Sequence, residues 1–494
     1  MANPIKKLAG QTAIYGLSSI IGRFLNYLLT PLWTGLFSAE QFGIITEMYA
    51  YVAFLVVMLT YGMETAYFRY VSKKENDADS IFSTVMISVV SSSMLFIGMC
   101  MLFSQSIADW LMYPNHKEYV IWFAIIVGLD AITSIPLARL RQQNKALQFA
   151  GVNFTNVLTN IGLNWFFLVY CKSQYDGGDP SALVQWCYDP EIGVGYVFIA
   201  NLIASVLKFL SALPGAWIKQ WHFDTAAYRK MVKYAFPLLL VGLAGIVNET
   251  LDRILLKRLL VDDIGLEATM EQLGIYGANY KLSIVITLFI QAFRYAAEPF
   301  FFAQEKKKDS TATYAKVMHY FIIVLSVMFL VVLFYLDILK YFINNKELWV
   351  GLKIVPILLL ANICLGVYYN LSIWYKLSEK TGYGAMISIF GAVVTIVLNL
   401  VLIPFLGYMG SAWATLVCYA SMVVVSFIQG QKHFPIPYQT KKGLLYIGSA
   451  VGFYLLSQLI KGDSTETQYL MNSVLLVVFV VGVYLNELRD REEA

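Results

Sequence analysis

The sequence predicts an all-α polytopic membrane protein with fourteen transmembrane helices, built as two parallel-repeat six-helix lobes plus two C-terminal helices. Of its 494 residues, 58% are hydrophobic and only 14% are charged, whereas soluble domains carry about 25% charge. Fourteen apolar segments approach the roughly 20 residues that a helix needs to cross a bilayer. Parts of the first half also recur in the second half.

The predicted spans are joined by short loops, none of which is long enough to fold as a catalytic domain, so an enzyme is not expected. The spans cover residues 9–37, 44–67, 81–103, 119–138, 149–171, 192–217, 234–256, 275–300, 314–339, 352–375, 383–404, 410–428, 443–459 and 469–484. Alternate loops hold 23 and 8 basic residues. Since positively charged loops stay in the cytoplasm, both termini are predicted to be cytoplasmic.

The internal repeat is clearest in the hairpins that open each half. Glu40–Ile44 recurs as Glu271–Ile275, and the matches upstream of it predict a turn about five residues longer in the second copy. Leu163-Asn164 in span 5 matches Leu398-Asn399 in span 11. Repeats in one orientation are expected from a pseudo-twofold axis along the membrane normal. The predicted domains are an N-terminal lobe (1–218), a C-terminal lobe (219–431) and two additional spans (432–494).

Polar residues within the opening hairpins are the candidate functional residues. An Arg at a helix centre costs roughly 3 kcal/mol on insertion scales, so such residues usually face a bundle interior or water. Arg23 lies at the centre of span 1, with Asn26 and Tyr27 at helical spacing. Lys281 and Arg294 lie in span 8. We predict that these five side chains bind substrate in a hydrated central cavity.

Several of these charges have a structural alternative. Glu249 and Asp252 on span 7 are candidates for ion coupling, but both could instead pair with Arg253 within one helix turn. Arg294 and Glu298, four residues apart, could form a surface pair. Lys281 and Arg294 are thirteen residues apart, about 220° around an ideal helix, so a straight span could not direct both into one cavity.

Charges near the ends of span 2 favour a structural role. Glu47, Glu64 and Arg69 are expected to extend their charged groups towards the membrane interface. Asp130 and Lys208 are further charges that lie clearly within spans.

Other chemistry finds little support in the sequence. The four histidines are scattered and predict no metal site, and no phosphate-binding loop is present. The formal net charge of +4 is spread over separate loops, which does not favour nucleic acid as a partner. Cys171 and Cys187 border the same predicted outer loop and could form a disulfide, although no paired motif requires one.

The chain resembles the polysaccharide transporter (Wzx-type oligosaccharide flippase) family of the multidrug/oligosaccharidyl-lipid/polysaccharide (MOP) exporter superfamily along nearly its whole length. The resemblance is carried by moderately specific pattern matches, at Pro31-Leu32, Ala39–Ile44, Leu251–Leu255, Leu273–Tyr276, Leu398–Pro404 and Gly407–Thr415. It implies a MATE-like fold of two lobes around a cationic cavity.

The same resemblance implies alternating access that moves an undecaprenyl-diphosphate-linked oligosaccharide across a bacterial inner membrane. The expected partners are this substrate, membrane lipids and other glycan-assembly membrane proteins, with no cofactor beyond a coupling ion, H⁺ or Na⁺. A multidrug or metabolite cation antiporter of the same fold is the alternative within transport. A membrane-embedded glycan ligase or polymerase is the alternative of another class. That class needs catalytic Arg or His in a long outer loop, and residues 172–191 contain neither.

Overall fold

The computed structural model describes Gly16 and residues 20–72, 77–218, 220–304, 309–460, 462 and 464–492. Within these ranges the regular secondary structure is helical throughout. Among the described residues, eleven helices are long and apolar enough to cross a membrane. The predicted all-α polytopic fold is therefore confirmed, whereas the number of fourteen spans remains a prediction.

Three predicted spans are not among those eleven. In the first, residues 9–15 and 17–19 fall outside the described residues, and the rest is divided between two short helices, 20–27 and Leu29–Leu36. The fifth forms a helix from Ala146 to Trp165 that continues as a π-helix over Phe166–Cys171, and its interior carries several Asn and Thr side chains. The thirteenth forms a helix over Thr440–Leu459 that begins with two lysines.

The chain divides into two compact units, Met1–Ile254 and Leu255–Ala494. The helices of unit 1 are α1 (20–27), α2 (Leu29–Leu36), α3 (Ala39–Thr60), α4 (Met63–Val71), α5 (Ala78–Leu102), α6 (Ser104–Trp110), α7 (Lys117–Gln142), α8 (Ala146–Trp165), α9 (Lys172–Asp176), α10 (Ala182–Cys187), α11 (Gly195–Ala216) and most of α12 (Thr225–Ile264). Helix α7 occupies the middle of this unit and packs against α3, α5 and α11. The limits of the predicted lobes remain a prediction.

Unit 2 begins inside α12. Its further helices are α13 (Leu266–Gln304), α14 (Ser310–Phe334), α15 (Leu336–Leu339), α16 (Val355–Leu371), α17 (Ile373–Leu377), α18 (Thr381–Leu406), α19 (Tyr408–His433), α20 (Thr440–Leu459) and α21 (Thr465–Glu492), with a 3₁₀ segment at Lys346–Ile354 before α16. Helix α16 packs against α13, α14 and α19, and α18 pairs with α19. The two C-terminal helices pack on α14 and on each other.

The repeated Glu-Gln motif has a different structural role in each copy. In the first, Ser38 caps α3: its hydroxyl accepts a hydrogen bond from the Gln41 amide, and the Gln41 side chain accepts one from the Ser38 amide. In the second, Gln272 lies inside α13 and accepts from the Tyr408 amide at 3.2 Å. The expected longer turn is wrong, because the extra residues extend the helix and Gly265 alone, at φ +80°, separates α12 from α13.

Candidate functional site

Arg23 lies on α1 with its side chain exposed. Among the described residues its guanidinium has no ion pair or hydrogen bond. Tyr27, one turn further along α1, is half-buried and stacks on Phe24 with ring centroids 6.5 Å apart. The N–H donors of the Arg23 guanidinium are therefore not used by the described part of the chain.

Asn26 belongs to a chain of side-chain amides between α1, α2 and α8. The Asn160 side-chain amide donates to the side-chain oxygen of Asn26 at 3.2 Å, and the Asn164 side-chain amide donates to the side-chain oxygen of Asn160 at 3.1 Å. The indole N–H of Trp33 donates to Asn164 at 2.7 Å. Asn164 is fully buried. Because hydrogen bonds between helices stabilise packing inside a membrane, Asn26 has a structural role whether or not it also contacts substrate.

Two largely buried cations of unit 1 have acidic partners, unlike Arg23. Lys208 on α11 donates to Asp130 on α7 at 2.8 Å, so the two further charges found within spans neutralise each other. Arg139 pairs with Asp79 at 2.7 Å and also donates to the Trp217 carbonyl at 2.9 Å. These pairs hold α5, α7 and α11 together.

The charged residues near the ends of span 2 differ in their burial and in their partners. Glu47 is fully buried and accepts a hydrogen bond of 2.5 Å from the Tyr113 hydroxyl, so the expected extension to the interface is wrong for this residue. Burial and the nearby Glu47 carboxylate raise the pKa of Tyr113 well above its ordinary value, which keeps the phenol protonated and donating. Glu64 forms an ion pair with Arg141.

The ion-coupling candidates on α12 differ in exposure. Glu249 is exposed, and within the described part of the chain its carboxylate has no hydrogen bond or ion pair. Asp252 is 4% exposed and accepts from the Arg253 amide at 2.9 Å. The Arg253 guanidinium lies 3.7 Å from Asp252 and donates to the Glu249 carbonyl at 2.7 Å. Asp252 thus matches the structural alternative, whereas the Glu249 carboxylate does not pair with Arg253.

In unit 2 the two predicted cations lie on α13. Lys281 is half-buried. Arg294 places its guanidinium 4.0 Å from the ring centroid of Tyr369 on α16, a cation–π contact that also orients the N–H fork. Glu298 forms an ion pair with Lys376 on α17. The possible surface pair of Arg294 and Glu298 is therefore not formed, because each side chain has a partner on a neighbouring helix.

A polar cluster between α14, α20 and α21 has no counterpart among the sequence predictions. His319, which is 6% exposed, lies 2.8 Å from a Glu487 carboxylate oxygen. Tyr446 donates to that oxygen at 2.5 Å, and Asn486 donates to the Tyr446 hydroxyl at 2.8 Å. The cluster anchors the last two helices to unit 2. The sequence feature that could have indicated this cluster is His319 itself, a histidine within an apolar span.

The cysteines and potential metal ligands offer no further site. Cys171 and Cys187 both carry free thiols. Within the described ranges, no three His, Cys, Asp or Glu side chains converge to hold a metal ion.

Three comparisons place the chain among known proteins. Residues 8–304, more than half of the chain, match the model of a family described as polysaccharide biosynthesis protein. The probable low-salt glycan biosynthesis flippase Agl15 of Haloferax volcanii is 19% identical over 451 residues, covering 89% of this chain and 88% of that protein.

Two kinds of solved structure share the fold. The lipid II flippase MurJ in an inward closed conformation superposes with a TM-score of 0.74 and 14% identity, over 96% of this chain and 99% of that one. An inward-facing multidrug resistance MATE family transporter of the MOP superfamily gives a TM-score of 0.64 and 12% identity, over 85% and 97%. The predicted fold class is confirmed, and the chain belongs to the polysaccharide biosynthesis protein family.

Proposed function

We propose that this protein is a flippase that moves a lipid-linked oligosaccharide between the two leaflets of a membrane by alternating access. Family membership and the multi-pass helical fold support transport linked to polysaccharide synthesis. A relative that spans most of this chain is named as a probable glycan flippase, and a protein of similar fold is a lipid II flippase.

The exposed guanidinium of Arg23 is the observation that carries this proposal. Lys208 and Arg139 each form an ion pair with an acidic side chain. Arg23 has no acidic partner among the described residues. A diphosphate supplies the planar, bidentate acceptor that a guanidinium fork binds best. We propose that Arg23 contacts the diphosphate of an undecaprenyl-linked glycan.

Further substrate contacts are proposed in each unit separately. Arg294 is held by its stack on Tyr369, which lowers the entropy lost when the guanidinium binds an anion. Lys281 adds a point charge. Asn26 and Tyr27 would contact sugar hydroxyls, since amides and phenols both donate and accept hydrogen bonds.

The energy source in this proposal is an ion, either H⁺ or Na⁺. Glu249 is the better of the two candidates because its carboxylate is exposed, whereas Asp252 is buried beside Arg253. Conformational coupling needs a site whose ion affinity differs between the two states of the transporter.

The proposed location is the bacterial inner membrane with both termini in the cytoplasm, as the charge bias of the loops indicates. Lipid-linked glycans would be delivered there by membrane-associated glycosyltransferases and consumed by polymerases or ligases on the far side. Those glycan-assembly proteins are the proposed partners.

Glycan display in cells that lack the native gene tests the proposal. Arg23→Ala is expected to abolish surface glycan at unchanged protein abundance, Arg23→Lys to restore part of it, and Lys145→Ala to leave it normal, because Lys145 lies exposed in the turn between α7 and α8. Normal surface glycan in Arg23→Ala would contradict the assignment.

The fold shared with a multidrug MATE family transporter keeps a cation antiporter as the second candidate. The exposed carboxylate of Glu249 suits a cationic substrate as well as a coupling ion. Proteoliposomes distinguish the two functions: an antiporter would exchange an organic cation for H⁺ or Na⁺ without any lipid-linked glycan, and a flippase would not.

A further inference from the structure

The start of α12 carries a basic and aromatic groove on the surface of unit 1. The groove is open on one side, has a volume of about 430 Å³ and is lined by Tyr228, Arg229, Val232, Lys233, Phe236 and Pro237. Arg229 and Lys233 are one helical turn apart, so their charges lie on the same face of α12. Neither has an ion pair or hydrogen bond from its side chain to another described residue.

The opposite face of this helix segment is fixed to the rest of unit 1. Met231 and Ala235 are buried in a core formed by α4, α5 and α7. The Asp224 carboxylate accepts from the amides of Ala226 and Ala227 at 2.8 and 2.9 Å. Asp224, the nearest acidic residue on this segment, therefore caps the N-terminus of α12 and does not pair with Arg229 or Lys233. The groove keeps its positive charge.

Two signals place the groove at the level of lipid headgroups. Helix α12 has 40 residues, about 60 Å of helix against a hydrocarbon core about 30 Å thick, so one end projects into the interface. Trp217 and Trp221, on the segment leading to α12, are 82% and 52% exposed. Exposed tryptophans are enriched at the membrane–water interface.

We propose that this groove is a binding site for an anionic glycerophospholipid, independent of the transported substrate. The phosphodiester lies between Arg229 and Lys233, and one acyl chain follows Val232 and Phe236, the latter 56% exposed. Charge complementarity selects this occupant, because a zwitterionic lipid would bring a cationic group against two uncompensated cations. By the charge bias of the loops, the lipid belongs to the cytoplasmic leaflet.

Native mass spectrometry of the delipidated full-length protein tests the site, with dioleoyl phosphatidylglycerol and dioleoyl phosphatidylcholine as probes. The wild type is expected to prefer the anionic lipid. Arg229→Gln/Lys233→Gln is expected to weaken that lipid roughly 20- to 30-fold, since each basic residue near an anionic headgroup contributes about fivefold. The matched control, Lys316→Gln/Lys441→Gln, removes the same charge from exposed positions of unit 2 and is expected to retain the preference.

Three outcomes would overturn the proposal. Equal binding of both lipids by the wild type, or an unchanged preference in the Arg229/Lys233 variant, would show that the groove does not select anionic lipid. Displacement of phosphatidylglycerol by an equal concentration of a polyprenyl diphosphate, lost in the same variant, would assign the groove to the transported lipid. The lipid affinities do not depend on whether the protein transports a glycan. A negative transport result would therefore contradict the proposed function without contradicting the lipid site.

Discussion

The ion pair between Asp130 and Lys208 allows a quantitative test of the packing inside unit 1. The lysine nitrogen lies 2.8 Å from the carboxylate oxygen, and the two side chains are only 18% and 24% exposed. At an effective dielectric constant of about 20, the attraction at this distance is roughly 6 kcal/mol. The cost of removing both ions from water offsets much of this gain, so the net stabilisation by the intact pair is small.

Loss of one partner leaves the other charge uncompensated between α7 and α11. Lys208→Met and Asp130→Asn are each expected to lower the free energy of unfolding by about 3 kcal/mol. The double variant should recover most of that loss, because no unpaired charge remains. Heating the purified variants in one detergent and measuring the folded fraction by size-exclusion chromatography gives the order of stability.

An exposed pair supplies the control. Lys172 and Asp176 lie 3.1 Å apart with side chains 46% and 60% exposed, and solvent screens such pairs strongly. Lys172→Met and Asp176→Asn should therefore melt like the wild type. If the double variant Asp130→Asn/Lys208→Met lost as much stability as the two single losses added together, the two charges would not compensate each other and this account of the pair would be refuted.

Three further substitutions test other buried contacts by the same melting assay. Tyr113→Phe removes a donor to the buried Glu47 carboxylate and should cost about 1–3 kcal/mol; wild-type melting would contradict that bond. Asn164→Leu removes the side-chain oxygen that accepts from the Trp33 indole and should lower the free energy of unfolding by about 1 kcal/mol; unchanged stability would show that the chain of amides does not stabilise the packing. His319→Phe should destabilise the last two helices, and adding Glu487→Gln should recover part of the loss; a further loss would contradict the pairing.

Local features of the fold could be predicted because they depend on neighbouring residues. Runs of apolar residues located the spans, and Ser38 with Gln41 is a capping pattern that fixes the start of α3. The connection between α12 and α13 could not be predicted from the repeat. Whether extra residues lengthen a turn or a helix depends on where the chain reverses, and here Gly265 alone adopts the left-handed conformation needed.

The partners of the charged residues could not be predicted, because they come from distant parts of the chain. Asp130 and Lys208 are separated by 78 positions, and sequence spacing relates only residues on one helix. The same limit applies to Glu298, whose partner Lys376 lies on another helix. Arg23 was singled out by its position within an apolar segment, and its exposure without a described counter-ion keeps it the leading candidate for an anionic substrate.

The most direct test of the central claim is transport by the purified protein in proteoliposomes that contain a fluorescent polyprenyl-diphosphate oligosaccharide. A membrane-impermeant quencher reports how much of the label remains in the outer leaflet. Wild-type protein is expected to move the label between leaflets, and Arg23→Ala is expected not to, although the variant reconstitutes equally well. Movement by Arg23→Ala at the wild-type rate, or none by the wild type under any H⁺ or Na⁺ gradient, would contradict the proposed function.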